Sequence, residues 1–384
     1  MSHGRRPILR RRPPPCPALC CTGASRTSRL VKLLALTKYG RQAASTRQRL
    51  MQYEPYLEHA GIRVEYSALF DDRYVRRLAQ GRRADPIQVG HAYARRFARL
   101  FGRQESDAIW LNYELFPYLP APFERLVRRS RRPVMLDFDD AIFHMYDDHP
   151  NRVVRQLLGR KLAATIANAD VVTVGNDYLR AYAEQFNTNV HVIPTVVDTD
   201  VYRFRERPPG GPLVVGWIGS PSTWRYVEPL LPDILAEVAS AGAVFRAIGA
   251  GPAATRWKDV EAVEWSEHTE VAAVQSLDIG IMPLPDERWA RGKCGYKLIQ
   301  YMACGLPVIA SPVGVNTTIV DHERSGLLAT SVNDWRDALR RLLSDPSLRD
   351  RMGAAGRATV VERYSLHAHA PRVARLLRQL APEV

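Results

Sequence analysis

The residues best suited to chemistry in this 384-residue chain lie in one stretch, GKCGYKLIQYMACGLPVIASPVGV at 292–315. Glycines precede a predicted helix that carries Lys293 and Lys297 at its start, and a Gly-Leu-Pro turn then feeds a buried strand. A glycine-rich entry lets backbone amides approach an anion closely, and the first turn of a helix adds positive potential. Lys297 and Gln300 are three residues apart, hence on one helix face, where a lysine suits a phosphate and an amide suits a hydroxyl. Taken alone, the same spacing also fits the surface of an ordinary Rossmann-type helix. A second cluster is DFDD at 137–140, where Asp-x-Asp is a way to hold a divalent metal against a nucleotide diphosphate. Here it ends a predicted strand, and Asp139 and Asp140 read instead as residues that orient a loop or a hydroxyl. His144 reads as a hydrogen-bonded structural histidine. Cys294 and Cys304, without a base partner, read as small packing residues.

The elements that must position these residues alternate along the chain. Strand candidates are 30–37, 62–69, 108–112, 133–138, 171–174 and 190–195, with helices near 43–60, 87–102, 151–168 and 177–186. Strands that are apolar nearly throughout and separated by helices indicate a parallel sheet covered on both faces, a doubly wound α/β domain. RFRERPPGGP at 203–212 is charged and rich in Pro and Gly, and residues 204–212 read as a linker. The alternation then restarts with strands at 214–219, 244–249, 278–284, 307–311 and 326–330 and helices near 226–241, 295–304, 333–344 and 365–380. The expected organisation is a Rossmann-like domain over 30–203, a second over 213–364, and a C-terminal helix over 365–384 that packs back on the first domain. Ligands of such sheets bind outside the carboxyl ends of the strands, so the loops there should face a cleft between the domains.

Composition narrows the class. With 46% hydrophobic and 24% charged residues the chain can bury a sizeable core. No apolar run approaches the ~18–20 residues that span a bilayer. Five cysteines are too few for a secreted disulfide scaffold, and Cys16, Cys20 and Cys21 lack the histidine or second CxxC pair that would complete a zinc set. No GxGxxG follows a predicted first strand, which argues against a dinucleotide oxidoreductase. The net charge is +14, of which residues 1–29 carry +7, residues 30–203 carry +6 and the remainder +1. Residues 1–29, with RRRPPPCP and no apolar periodicity, read as a disordered basic tail outside the fold; no apolar core of a signal peptide follows its charges. A basic first half attracts phosphate, although a cluster such as Arg128, Arg129, Arg131 and Arg132 also fits a merely solvated surface.

Several separate motifs, in order, resemble glycosyltransferase family 4, the retaining enzymes of the GT-B fold. They are VMLDFDDAIF (134–143), VVTVGNDYL (171–179), VIPTVVD (192–198), VVGWIGSPST (214–223), the segment from DIGIMPL at 278 to GVN at 316, HERSGLLA (322–329) and LRDRMGAAGRATVVERYSL (348–366). The resemblance runs from about residue 30 to 366 and implies two Rossmann-like domains facing a cleft. It implies a nucleotide sugar on the second domain, with Gly219, Ser220 and Thr223 against the pyrophosphate, Arg225 and Lys297 pairing with phosphate, Lys293 and Gly295 beside them, and Gly249 near the base. The position of the family's ribose-binding glutamate falls on Gln300, and its other glutamate, eight residues earlier, on Gly292; Asp286 or Glu287 are the nearest substitutes. On the acceptor side the resemblance points to Gly40, Asp139 and Asp140. Glu114 stands where many members have a histidine, either as a polar active-site residue or as an ordinary loop carboxylate.

The activity this resemblance implies is transfer of a sugar from a UDP- or GDP-linked donor to a hydroxyl of a glycan or lipid-linked acceptor, with retention and without metal or other cofactor. Arg225, Lys297, Glu114 and Asp139 are the residues expected to carry it. The expected partners are the donor, the acceptor and an anionic membrane surface, and no nucleic acid; the expected place is the cytoplasm, at the inner face of the membrane. The alternatives are a GT-B-like sugar-nucleotide epimerase or hydrolase, and a degenerate homologue that only binds nucleotide.

Overall fold

The computed structural model describes residues 29–79, 85–102, 105–204 and 210–381. The basic tail expected over 1–29 therefore lies outside the described residues save for Arg29, which pairs with Asp107 at 2.6 Å. Residues 205–209 of the expected linker lie outside them as well.

The apolar runs form two parallel sheets of six strands each. The first contains β1 (Val31–Tyr39), β2 (Ile62–Phe70), β3 (Ala108–Asn112), β4 (Val134–Phe138), β5 (Val171–Val174) and β6 (Val190–Val192), in the order β2-β1-β3-β4-β5-β6. The second contains β7 (Val214–Ile218), β8 (Val244–Ile248), β9 (Val260–Val263), β10 (Ile279–Met282), β11 (Val308–Ala310) and β12 (Gly326–Leu328), in the order β12-β11-β10-β7-β8-β9. Every residue of β3, β4, β5, β7 and β10 is buried, as a sheet covered on both faces requires. Each sheet reverses its winding once, between β1 and β3 in the first and between β7 and β10 in the second. Such a switch point opens a crevice at the carboxyl ends of the strands.

Where elements differ from expectation, glycine and proline explain most of it. The helix expected over 43–60 is divided into Ala44–Arg49, a 3-10 turn and Glu54–His59, with Pro55 opening the last. The one expected over 151–168 breaks between Leu158 and Lys161, and the one over 226–241 begins only at Leu231, after Pro229. Strand β9 was not foreseen, because it is an edge strand with three of four residues exposed. The long helix Pro346–Arg363 was not foreseen either: Gly353 and Gly356 interrupt its apolar pattern. Gly353 is there for a close approach, since a Cβ would stand 2.0 Å from the Gly305 carbonyl oxygen.

The chain then returns across the molecule. The Val197 amide donates to the Tyr364 carbonyl at 3.0 Å and the Leu366 amide to the Val197 carbonyl at 2.8 Å. The final helix, Leu366–Leu380, buries Leu366, Val373 and Leu377 among Val31, Leu33 and Trp110 of the first sheet. Between sheet and first helix, the guanidinium of Arg49 is buried against Asp137 and donates to the Ile193 carbonyl at 2.7 Å, tying the Ala44–Arg49 helix to β4 and the strand-end segment after β6. Among the described residues no helix is long and apolar enough to cross a membrane.

Candidate active site

A cavity of about 430 Å³ lies between the two sheets, at their carboxyl ends. Its second-sheet wall is built by the loop after β7 and by the entry of the helix Tyr296–Ala303. That helix starts at Gly295, whose φ of +64° is left-handed, and a Cβ there would meet Ile319 Cδ1 at 2.3 Å. The loops after β7 and β8 touch: the Gly219 amide donates to the Ile248 carbonyl at 3.0 Å, and a Cβ on Gly249 would stand 2.4 Å from the Gly219 oxygen. A Cβ on Gly219 itself would press on Trp217 at 2.4 Å and on Lys297 Cε at 2.9 Å. The glycines therefore let the lysine stem lie over the Trp217 ring, with Nζ 5.5 Å from its centroid.

Lys297 Nζ forms no hydrogen bond or ion pair among the described residues. Burial, with the neighbouring charge of Lys293, lowers its pKa from the ordinary 10.5 to about 8, and Asp140 only partly opposes this. Lys293 differs. Its Nζ lies 2.9 Å from Asp140 Oδ1, and although burial alone would lower its pKa, that carboxylate raises it. Burial likewise raises the Asp140 carboxyl despite Lys293. Asp139 accepts from Thr195 Oγ1 at 3.0 Å on one oxygen and from the Tyr113 hydroxyl on the other. Tyr113 holds a φ of +66°, a costly conformation for a non-glycine residue.

Of the residues singled out from the sequence, Gly219, Ser220, Thr223, Gly249, Lys293, Gly295, Lys297, Gln300, Asp139 and Asp140 all line this cavity. Three do not. Arg225 is exposed beyond the loop, where it donates to the Tyr226 hydroxyl at 3.1 Å. Gly40 makes its close approach to a side chain rather than to the cavity: a Cβ would meet Asp72 Oδ1 at 2.5 Å. Glu114 is 1% exposed and sits in a buried network, accepting from Tyr146 Oη at 2.8 Å and lying 3.5 Å from Lys161 Nζ. Burial raises its pKa. It is a structural carboxylate, with Lys161 and Glu124 paired beside it. His144 is structural too, bridging Asp147 and Tyr178 at 2.8 Å each. Cys294 and Cys304 are buried, and burial raises both thiol pKa values.

Gly292, where the resembling family has its other glutamate, has no room for a side chain. A Cβ on Gly292 would stand 2.4 Å from Ala141 Cβ, across the contact between the two halves. Asn176 staples the same contact, donating to the Gly292 and Lys293 carbonyls at 3.1 Å each. Neither Asp286 nor Glu287 replaces it: both lie outside the cavity, and Asp286 is held by Arg291 at 2.6 Å. A carboxylate does reach the cavity, from Glu270. Gln300 Nε2 donates to Glu270 Oε1 at 3.0 Å and to Tyr202 Oη at 2.8 Å, while Trp265 Nε1 donates to Glu270 Oε2 at 2.6 Å. Arg47, from the helix Ala44–Arg49, stacks 5.0 Å over the Trp265 ring with one nitrogen 3.9 Å from Glu270. Arg47, Trp265 and Glu270 were missed in the sequence. The only signal for the last two was the edge strand β9, whose exposed pattern reads as loop.

Two six-stranded parallel α/β sheets facing each other across a cleft are the GT-B architecture. Residues 212–345 match the family model described as Glycosyl transferases group 1. The chain is 33% identical over 147 residues to a D-inositol 3-phosphate glycosyltransferase of Nocardioides sp., covering 37% of this chain and 29% of that protein. It is 30% identical over 177 residues to one of Streptomyces bingchenggensis, covering 46% and 33% respectively. The chain thus spans a third or less of the length of these curated relatives. Among solved structures, sucrose-phosphate synthase of Thermosynechococcus elongatus superposes with a TM-score of 0.68 at 18% identity, covering 91% of this chain and 99% of that one. Anabaena Alr3699/HepE in complex with UDP-glucose gives 0.68 at 16% identity, covering 90% and 99%. At these identities the likeness concerns the fold.

Proposed function

We propose that the protein is a retaining glycosyltransferase of family 4, moving a sugar from a UDP- or GDP-linked donor to a hydroxyl of a glycan or lipid-linked acceptor. The observation that carries this reading is Lys297: a half-buried lysine without an anionic contact partner among the described residues, facing a cavity beside a left-handed glycine and a helix start. Burying an ammonium without a partner is costly, and a bound anion relieves that cost. Lys297 with the backbone amides after Gly219 and Gly295 would hold the diphosphate. These donors stabilise the charge that grows on the leaving phosphate as the glycosidic bond breaks; losing one such donor typically slows a reaction by ~10²–10³. Glu270, presented by Gln300, takes the place of a ribose carboxylate, and Ser220 and Thr223 face the phosphates.

The reacting sugar would lie toward Asp139, Asp140, Lys293 and Tyr113. Both oxygens of Asp139 already accept hydrogen bonds, so this carboxylate is poorly placed to act as a nucleophile. That favours attack by the acceptor hydroxyl on the face the diphosphate leaves, its proton passing to the departing phosphate, which yields retention without a covalent enzyme intermediate. The basic first half, +6 over residues 30–203, suits an acceptor at an anionic membrane surface.

The test is incubation with UDP- and GDP-sugars, with and without lipid-linked acceptor, following nucleoside diphosphate release and the anomer of the product by NMR. Acceptor-dependent release with the donor's configuration supports the reading. Free sugar in the absence of acceptor identifies a hydrolase, an altered sugar nucleotide an epimerase, and an inverted anomer removes the one-face route.

A further inference from the structure

The helix Pro86–Phe101 is apolar on both of its faces. One face buries Ala92, Arg96 and Leu100 against the first sheet. The opposite face should be polar in a helix that meets only water. Instead it presents Ile87 (70% exposed), Ala94, Phe97 (50%) and Phe101 (39%), at the three- and four-residue spacing of one stripe, with the two phenylalanine rings 4.7 Å apart. The helix contains three arginines and no acidic residue. Its C-terminal end packs against the 3-10 segment Arg125–Ser130, and Arg132 locks the two together by donating to the Leu100 carbonyl and to Ser106 Oγ, each at 2.7 Å. Arg125, Arg128 and Arg129 of that segment, and Arg131 just after it, are exposed, so the element packed against this helix carries a cluster of surface arginines. Arg128 is partly met by Asp170 at 3.5 Å.

We propose that this stripe and its arginine margin form a docking face for an anionic lipid bilayer. An amphipathic helix lying in the interface plane sinks its apolar face ~5–10 Å into the headgroup boundary, while each basic residue beside it gains from the anionic surface. Charge separates this occupant from others. A second copy would bring arginine margin against arginine margin, and residues 1–29, at +7, carry the same sign. A nucleic-acid backbone would leave Ile87, Phe97 and Phe101 in water. The proposal deepens the membrane part of the reading above; because vesicle binding needs neither donor nor acceptor, its failure is separate from any failure of the transferase reading.

The test is co-sedimentation of the full chain with phosphatidylcholine vesicles, with and without phosphatidylglycerol as the anionic lipid. The wild type is expected to bind the anionic vesicles, to lose binding at high salt, and to bind neutral ones far less. Phe97→Glu/Phe101→Glu is expected to weaken binding on the order of 100-fold, from the apolar area no longer inserted plus two introduced negative charges. A matched control, Val153→Glu/Leu157→Glu on a different exposed helix, should bind as the wild type does. A circular dichroism melt and the nucleotide-induced thermal shift verify that the double variant folds. Independently of it, Phe97→Trp should show a blue-shifted emission on adding anionic vesicles. Equal binding to neutral and anionic vesicles, or an unshifted tryptophan, overturns the proposal. So does a wild-type dimer that the glutamate pair dissociates, which would make the stripe an interface between copies.

Discussion

Replacing Lys297 by Met keeps the stem that covers Trp217 but removes the charge, and two opposite effects should follow. Without ligand the variant should be more stable than the wild type. The wild-type lysine titrates near 8 in the folded protein against an ordinary 10.5. Below about pH 8 both folded and unfolded chains hold the proton, and the cost of burying it is fully present. Between about 8 and 10.5 the unfolded chain binds more protons than the folded one, so stability rises with pH and the cost is relieved. The difference corresponds to roughly 3 kcal/mol at pH 7. Solvent at the open side of the cavity reduces this to about 1–2 kcal/mol, a gain of a few degrees in Tm. With ligand the order should reverse. A charge-assisted contact to phosphate contributes ~1.5–3 kcal/mol, so affinity for the preferred nucleoside diphosphate should fall about 10- to 150-fold. The wild-type thermal shift should also weaken about tenfold in apparent affinity for each pH unit above 8, whereas that of Lys297→Met should be flat over the same range. Scanning fluorimetry with UDP, GDP and ADP from pH 6.5 to 9.5 reads both effects. A variant less stable than the wild type at pH 7, or one retaining the full nucleotide shift, refutes the placement of an unpartnered ammonium in a phosphate site.

Three further outcomes are expected. Gly295→Val should lose nucleotide binding and cost on the order of 1–3 kcal/mol, because the left-handed φ and the 2.3 Å approach to Ile319 both exclude a side chain; a denaturant titration with a nucleotide-binding assay checks it. Glu114→Gln and Arg225→Ala should each keep sugar-transfer rates within about threefold, since neither side chain reaches the cavity and a lost transition-state donor would cost ~10²-fold or more. Lys161→Met should lower stability by ~3–5 kcal/mol by leaving Glu124 buried without its cation, measured by urea unfolding, and the double change Lys161→Met/Glu124→Gln should recover much of it.

Much of the cavity wall was legible because its residues are local. Gly295, Lys297 and Gln300 lie within six residues, and the turn at a helix start forces glycine and lysine into one place whatever surrounds them. The paired runs of apolar strands and intervening helices likewise determine parallel sheets, since only a sheet covered on both faces can hide them. Other roles were assigned by position in a motif and moved once burial was known. Glu114 follows a strand directly, yet the chain turns it inward to Tyr146 and Lys161. Arg225 follows the loop after β7, yet its side chain is exposed outside the cavity.

What the sequence by itself determined, then, was the alternation of elements in two α/β halves and one short turn that brings glycine and lysine together at a helix start. Only the tertiary structure decided which side chains meet across the cleft. Arg47 and Trp265 come from different halves of the chain and stack only because the two sheets face each other. Gly292 excludes a glutamate because Ala141 stands against it, and Glu270 reaches the cavity through Gln300 and Tyr202. The physical reason is range. Backbone preference and periodicity act over a few residues, whereas desolvation, ion pairing and steric exclusion depend on neighbours that folding brings together from far apart in the chain.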